Sequence, residues 1–457
     1  METGYNELVI QLARGISQRR MYFSDHPKVR DNAQNFLRLL TRIVDEAPSH
    51  AFFLGVADGK LVHNGHYLVG PTIVGSRLAD LAGELQCGGF LFRQGLGLPE
   101  VTAFLDLAVE KKASGLDLDG ARALLAARGI THIELSPPYE DEQWYGQYHF
   151  DAEDSESGSL DADPELDQIL PVFQSVFNTV ETAHGKAGQG RELDISHAQT
   201  VAQSLVSNTS NLTDLMQMVS YPDFDSYTVG HSVRVAMLAV LVGKHLRLQP
   251  GALAELAVAG MLHDVGKAKI PEEILFKPGK LDPRERRVME THTELGAEIL
   301  LANGQASPLA VAVAWGHHRK PGGGGYPLSS VPAEAGPVTD LVHVCDVFEA
   351  LTAVRPYKPA LSARRTYEIM LQDVDAFSRP LLAAFIRAVG IYPPGSEVRL
   401  SNGQQAVVTS ANPQPDRPRV RVTHNHRGLP LRRDQQSEID LSRPEHGLSV
   451  ECCLLAG

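Results

Sequence analysis

The chain has 457 residues, enough for two to three domains, and its 43% hydrophobic content suffices for sizeable cores. Its formal net charge of −13 argues against nucleic acid as a partner and gives an anionic ligand no general attraction, so such a ligand needs a local basic pocket. No run of about 18 apolar residues occurs, so no membrane-spanning helix is expected. The opening Met1-Glu-Thr-Gly-Tyr-Asn-Glu lacks the basic and apolar stretches of a signal peptide. Cys87, Cys345, Cys452 and Cys453 form neither a disulfide framework nor a zinc spacing, so the expected setting is a cytoplasm that keeps thiols reduced.

Taken in order, residues 1–138 open with an amphipathic helical stretch that includes Asn35 to Val44. Ala51 to Val56 and Lys60 to Val62 read as strands joined by a hairpin at Asp58-Gly59. Gly89 to Phe92 and Thr131 to Leu135 read as further strands, with helices at Val101–Lys111 and Gly120–Arg128. This predicts an α/β or α+β accessory domain for regulation or partner binding. It holds no catalytic constellation; Asp25-His26 and His63-x-x-His66 are isolated pairs, read as incidental. Residues 139–168 are acidic and polar, as a flexible linker is. Connecting helices are expected over 169–220, where they can couple the accessory domain to the catalytic one or pair between protomers of a homodimer. A helical catalytic domain is expected over 221–390. Over 391–457 the period-two alternation of 397–403, 405–409 and 419–423, with a turn at Asn402-Gly403, predicts a small β-rich tail. Its Arg417, Arg419 and Arg421 suit a solvated strand face.

The helical part carries imidazoles and carboxylates at His231, His263-Asp264, His292, His317-His318 and Asp346. These side chains bind borderline divalent metals such as iron, manganese or zinc. The gaps are 32, 28, 25 and 28 residues, which suits a helix, a turn and a return helix, so all can meet at one point in a bundle. Neighbours on a helix diverge by about 100°, so an adjacent pair serves two metals more readily than one. A dinuclear site is the expectation.

The strings around these positions are His231-Ser-Val-Arg-Val-Ala, His263-Asp-Val-Gly-Lys267, Thr291-His292-Thr-Glu-Leu-Gly296, His317-His-Arg-Lys-Pro-Gly-Gly-Gly-Gly-Tyr-Pro327 and Asp346-Val-Phe-Glu-Ala-Leu-Thr-Ala-Val-Arg355-Pro-Tyr-Lys358. In this order they resemble the HD-GYP family, a branch of the HD metal-dependent phosphohydrolases whose members hydrolyse cyclic dinucleotides, chiefly cyclic di-GMP. The resemblance covers roughly Val201 to Gly390. It implies a mainly α chain with an HD-type helical bundle, and His231, His263, Asp264, His292, His317, His318 and Asp346 as ligands of two divalent ions, iron or manganese. It further implies that Asp264 and Lys267 are catalytic, and that Lys267, Tyr326, Arg355 and Lys358 hold the substrate. A protein partner can enter through the accessory domain or the Gly-Tyr-Pro loop.

Phosphodiester cleavage suits these side chains. Anionic oxygens repel a nucleophile and the alkoxide leaves poorly, which two metals about 3.5–4 Å apart relieve. Lys267, four residues after His263 and so on one helical face with it, can reach a phosphate oxygen. Arg355 offers a fork, Lys358 a point charge, and Tyr326 a hydroxyl and a stacking ring. Where the family usually carries Glu after the histidine pair and Asp before the Gly-Tyr-Pro, this chain has Arg319 and Gly322; where some members carry a Glu that holds a third metal, it has Tyr227. Two metals are therefore expected. Glu294 and Glu349 read as ordinary helix carboxylates, Ser232 as a packing residue, and His245, His343, His424, His426 and His446 as structural or surface histidines. The reaction that the resemblance implies is hydrolysis of cyclic di-GMP to a linear dinucleotide, with further cleavage to GMP left open. Cyclic GMP-AMP hydrolysis, and a catalytically weak or non-catalytic receptor acting through cyclic-dinucleotide or protein binding, stand as alternatives.

Overall fold

A computed structural model describes residues 2–21, 23–47, 49–57, 59–64, 66–68, 71–72, 75–110, 116–138, 164–208, 228–275, 277, 279–328, 336–352, 361–432 and 435–454. Arg355, Lys358, Tyr227, Asp58 and residues 139–163 of the acidic stretch lie outside them. Two compact units form: Met1–Asp167 with Asp223–Asp225, and Gln168–Pro222 with Ser226–Gly457.

The first unit holds helices α1 (Glu2–Met21), α2 (Pro27–Glu46), α3 (Ser76–Glu84), α4 (Leu98–Val109) and α5 (Leu118–Ala127). Its strands are β1 (Ala51–Ala57), β2 (Lys60–His63), β3 (His66–Tyr67), β4 (Gly89–Arg93) and β5 (Ile133–Ser136). They make one sheet, ordered β3-β2-β1-β4-β5, with every pairing antiparallel, so the unit is α+β. Ala57 pairs with Lys60 at the hairpin, and Gly59 takes φ +72°, a conformation that favours glycine. The core lies under the sheet: Phe52, Phe90 and Phe92 meet Phe36 of α2 and Phe104 of α4, all buried.

The second unit is a bundle followed by a sheet. Its helices are α6 (Pro164–Gly188), α7 (Ile195–Ser207), α8 (Val229–His245), α9 (Pro250–Leu262), α10 (Glu272–Leu275), α11 (Pro283–Glu290), α12 (His292–Asn303), α13 (Pro308–Gly316), α14 (Pro337–Thr352), α15 (Ala363–Gln372) and α16 (Arg379–Val389). Starts follow local chemistry: Asp194 and Ser307 accept hydrogen bonds from the first turns of α7 and α13, and Asp282 with Glu285 makes a capping box on α11. Almost every residue from Val229 to Gly243 is buried, as in a helix wrapped by neighbours on all sides. Gly260 lets α9 approach closely, since a Cβ there would lie 2.7 Å from the Ala236 backbone of α8.

Strands β6 (Glu397–Leu400), β7 (Gln405–Ser410), β8 (Arg419–His424), β9 (Glu438–Asp440) and β10 (Val450–Cys453) form a second antiparallel sheet, ordered β10-β6-β7-β8-β9. Val398, Leu400, Ala406, Val408, Val420 and Val422 bury one face. Arg419 and Arg421 project to the other, where they pair with Asp440 (3.4 Å) and Glu438 (3.5 Å). Among the described residues no helix is long and apolar enough to cross a membrane.

Candidate metal centre

All seven of the spaced imidazoles and carboxylates converge inside the bundle. His231 comes from α8, His263 and Asp264 from the end of α9, His292 from the start of α12, His317 and His318 from the end of α13, and Asp346 from α14. His263, His317, Asp264 and His292 are at most 1% exposed; His231 and Asp346 are 5% exposed.

Helix ends orient the rings. Nδ1 of His263 faces the carbonyl oxygen of Gly260 at 2.7 Å, that of His292 faces Met289 at 2.7 Å, and that of His317 faces Val313 at 3.0 Å. A carbonyl oxygen only accepts, so each Nδ1 carries the proton and each Nε2 is left bare, turned to the centre. There the ring nitrogens crowd: Nε2 of His263 lies 3.3 Å from Nε2 of His231, and the bare Nε2 atoms of His292 and His317 lie 3.4 Å apart. The His292 and His317 nitrogens, two acceptors facing each other with no proton between them, suit a shared cation.

Asp264 joins the two groups. Its Oδ2 lies 3.4 Å from His231 Nε2 and 3.3 Å from His263 Nε2, while Oδ1 lies 3.3 Å from His292 Nε2 and 3.6 Å from His317 Nε2. Oδ1 is buried with no hydrogen bond to any described residue. Burial works to raise the pKa of this carboxyl, but the Lys267 ammonium outweighs it and holds it well below the usual range. Asp346 repeats the bridging, with Oδ1 3.0 Å from His231 Nε2 and Oδ2 3.5 Å from His318 Nδ1. Among the described residues, Asp264, His292, His317 and His318 form one group able to hold a metal, and His231, His263 and Asp264 form another. The donor set of imidazole and carboxylate fits borderline divalent ions.

Close backbone approach makes this possible. After Asp264 the chain leaves the α-helix for a 3-10 turn, Val265–Lys269. A Cβ on Gly266 would lie 1.9 Å from the His292 carbonyl oxygen and 2.5 Å from Gly296 N. The glycines of the His-Asp-x-Gly and Thr-His-x-x-x-Gly strings therefore face each other. The turn also corrects the placement of Lys267. It does not share an α-helical face with His263; it reaches back three residues to donate to Asp264 Oδ2 at 2.5 Å.

Tyr326 is half-buried, its ring centroid 4.6 Å from His318 and 6.0 Å from His292. Burial, reinforced by Asp346 and Asp264, raises its pKa, so the hydroxyl stays protonated. Its loop closes through an Arg319↔Gly325 bridge, and Gly325 at φ +75° has the His318 carbonyl oxygen where a Cβ would be. Gly322 donates its N–H to Asp375 O (2.9 Å), and a Cβ there would lie 2.8 Å from Asp375 Cβ. Arg319 packs its guanidinium over Trp315, 4.9 Å from the ring centroid. Both substitutions thus have structural partners.

Glu349, read as an ordinary helix carboxylate, is 3% exposed and accepts from both His231 Nδ1 and Arg234 Nε. Burial works to raise its pKa, but Arg234 and then His231 bring it down to about 2. Reciprocally, burial works against a charged His231, yet Glu349 and Asp346 raise its pKa to about 9. A carboxylate one turn after Asp346 in an apolar helix was the available signal. His184 on α6 was also missed. Its Nε2 is buried without a partner among the described residues, and burial pushes its pKa down to about 4 within the fields of Asp264 and Lys267. Nothing in its surrounding string, Thr182-Ala-His-Gly185, marks it out.

Residues 215–377 match the family described as HD domain. Over 260 residues the chain is 34% identical to a cyclic di-GMP phosphodiesterase of Pseudomonas aeruginosa, covering 56% of this chain and 62% of that protein. It is 39% identical over 240 residues to a cyclic di-GMP phosphodiesterase of Vibrio cholerae (49% and 45% covered). It is also 34% identical over 168 residues to the 3'3'-cGAMP-specific phosphodiesterase 3 of that organism (36% and 36%). The chain thus spans less than two thirds of the length of each of these relatives.

Proposed function

We propose, on the premise that residues 215–377 match the HD domain family, that the protein is a metal-dependent phosphodiesterase acting on a cyclic dinucleotide. The observation that carries the reading is Asp264, a buried carboxylate whose two oxygens face different pairs of imidazole nitrogens. His231, His263, Asp264 and Asp346 would hold one ion, and Asp264, His292, His317 and His318 the other. Two divalent ions, iron or manganese, would supply an acidified water and neutralise charge on the phosphodiester.

The side chains around them do the rest. Lys267 donates to Asp264 and offers its ammonium charge to a phosphate oxygen. Tyr326 presents a neutral hydroxyl to a phosphate and a ring to a base. Arg355 and Lys358 bind the remaining anionic oxygens, the local positive charge that a chain of net charge −13 needs. One P–O ester bond is exchanged for a bond to a water oxygen, and a proton passes to the departing ribose oxygen. The linear dinucleotide can be cut again to GMP.

Cyclic di-GMP is the substrate best supported, by the activities of the relatives with the most shared length. Cyclic GMP-AMP is the second reading, supported by the resemblance to the 3'3'-cGAMP-specific enzyme and by the altered Arg319–Gly325 loop. The test is turnover of both compounds by anaerobically purified protein supplied with Fe(II) or Mn(II), with metal content measured. Hydrolysis of either establishes the activity and ranks the substrates. Bound metal with no hydrolysis of either refutes the enzyme and leaves a receptor.

A further inference from the structure

His343 stands beside the seven proposed ligands, on α14 one turn before Asp346, and it is 6% exposed. Its Nδ1 donates to the His317 carbonyl oxygen at 2.7 Å. Because that oxygen only accepts, the proton sits on Nδ1 and Nε2 is bare. Nε2 is nevertheless buried, with no hydrogen bond to any described residue. The ring stacks on Phe377, centroids 5.1 Å apart and planes 22° apart, which keeps it from swinging away. One nitrogen of His343, one of His318 and a carboxylate oxygen of Asp346 lie within 4.8 Å of one another.

We infer that His343 is itself a metal ligand, closing with His318 and Asp346 a cation position beside the two groups that Asp264 joins. Imidazole, imidazole and carboxylate suit Mn(II), Fe(II) or Zn(II). This position is independent of Tyr227, whose place carries the third-metal Glu in some relatives of the pattern. The inference rests on the phosphodiesterase reading only in taking the centre to bind divalent ions.

The experiment uses full-length, metal-stripped protein titrated with Mn(II) by calorimetry and with Co(II) by electronic absorption. His343→Asn places an amide nitrogen where Nδ1 stood, so the bond to His317 can persist, but no atom occupies the Nε2 position. The expected result is loss, or at least tenfold weakening, of one Mn(II) binding event, a shifted Co(II) ligand-field spectrum, and an unchanged melting temperature of the metal-free protein. If the Asn variant melts early, His343→Leu, which fills the volume without nitrogen, decides on the same readouts. Mn(II) stoichiometry, affinities and Co(II) spectrum all equal to wild type would overturn the inference, leaving Nε2 to meet a water. Hydrolysis by the wild type is scored separately. Metal binding through His343 without turnover would sink the enzyme reading alone, and turnover with an indifferent His343 would sink this inference alone.

Discussion

Gly266→Ala should separate the two halves of the centre. The new Cβ would start 1.9 Å from the His292 carbonyl oxygen, whereas ordinary contact begins at 3.4 Å, so 3.4 − 1.9 = 1.5 Å of separation is required. No flexible side chain can yield, because the obstructing atoms are backbone of α12. One side of the gap carries Asp264 and Lys267; the other carries His292. Site geometry tolerates about 0.5 Å, and a misplacement of about 1 Å can cost on the order of 100-fold in rate. The expected outcome is a fall in cyclic di-GMP turnover of roughly 100-fold, weakened Mn(II) binding, and about 1–3 kcal/mol of lost stability from overpacking. Gly296→Ala is the internal control: its nearest neighbours would be at 3.3 Å and 3.6 Å, nearly ordinary contact. Turnover, Mn(II) titration and denaturant unfolding of the two variants check the argument. Wild-type behaviour of Gly266→Ala, or equal damage from Gly296→Ala, would refute it.

Other perturbations reach different parts of the molecule. Glu349→Gln removes the charge that orients His231 and pairs with Arg234; metal affinity should fall by about 10–100-fold while the circular dichroism spectrum is kept. Lys267→Met removes an ammonium paired to Asp264, and a hydrogen bond to a charged group contributes about 1.5–3 kcal/mol, so kcat/KM should drop roughly 10- to 100-fold with metal still bound. Gly322→Asp, which restores the residue the family usually carries, would drive a Cβ into Asp375 and set two carboxylates together; a lower melting temperature without gain in turnover is expected, and higher turnover at equal stability would contradict it. In the first unit Glu100 accepts the N–H groups of Thr131 (2.6 Å) and His132 (2.9 Å). Burial works to raise its pKa, but these donors and the His132 ring lower it. A carboxyl with a depressed folded-state pKa contributes stability above its unfolded value, about 4.3, and loses it as pH falls through the folded value. Glu100→Gln should therefore cost about 1–2 kcal/mol at neutral pH, with the difference from wild type shrinking below about pH 4.3 in urea titrations.

What could be seen in the sequence was whatever is local. His263-Asp264 and His317-His318 are adjacent, and the flanking glycines and the Tyr-Pro pair advertise themselves. The helical class was legible from the ligand spacing and from the resemblance, and the β-rich tail from its period-two alternation. The second layer of the centre was hidden, because Glu349, Arg234, His343 and His184 gain meaning only when α6, α8, α13 and α14 are packed together. His343 in particular is a lone polar residue in an apolar helix, a pattern more often structural. The 3-10 turn after Asp264 was obscured because His-Asp-Val-Gly-Lys continues an α-helical pattern; only the backbone of α12, abutting Gly266, breaks it. Strands β9 and β10 are three and four residues long, too short for alternation to register.

The way the rings are oriented also bears on how the centre can change over evolutionary time. His263, His292 and His317 are aimed by the main-chain oxygens of Gly260, Met289 and Val313. No codon change at those three positions can delete the acceptor, because every amino acid supplies a carbonyl. Drift there is constrained by volume and helix geometry alone, and the orientation of three imidazoles is inherited with the bundle. His231 is aimed instead by the carboxylate of Glu349, which a single nucleotide change can remove. Mutational fragility is thus concentrated on one corner of the centre, and lineages that lose the metal should show their first damage at Glu349 rather than around the other three rings.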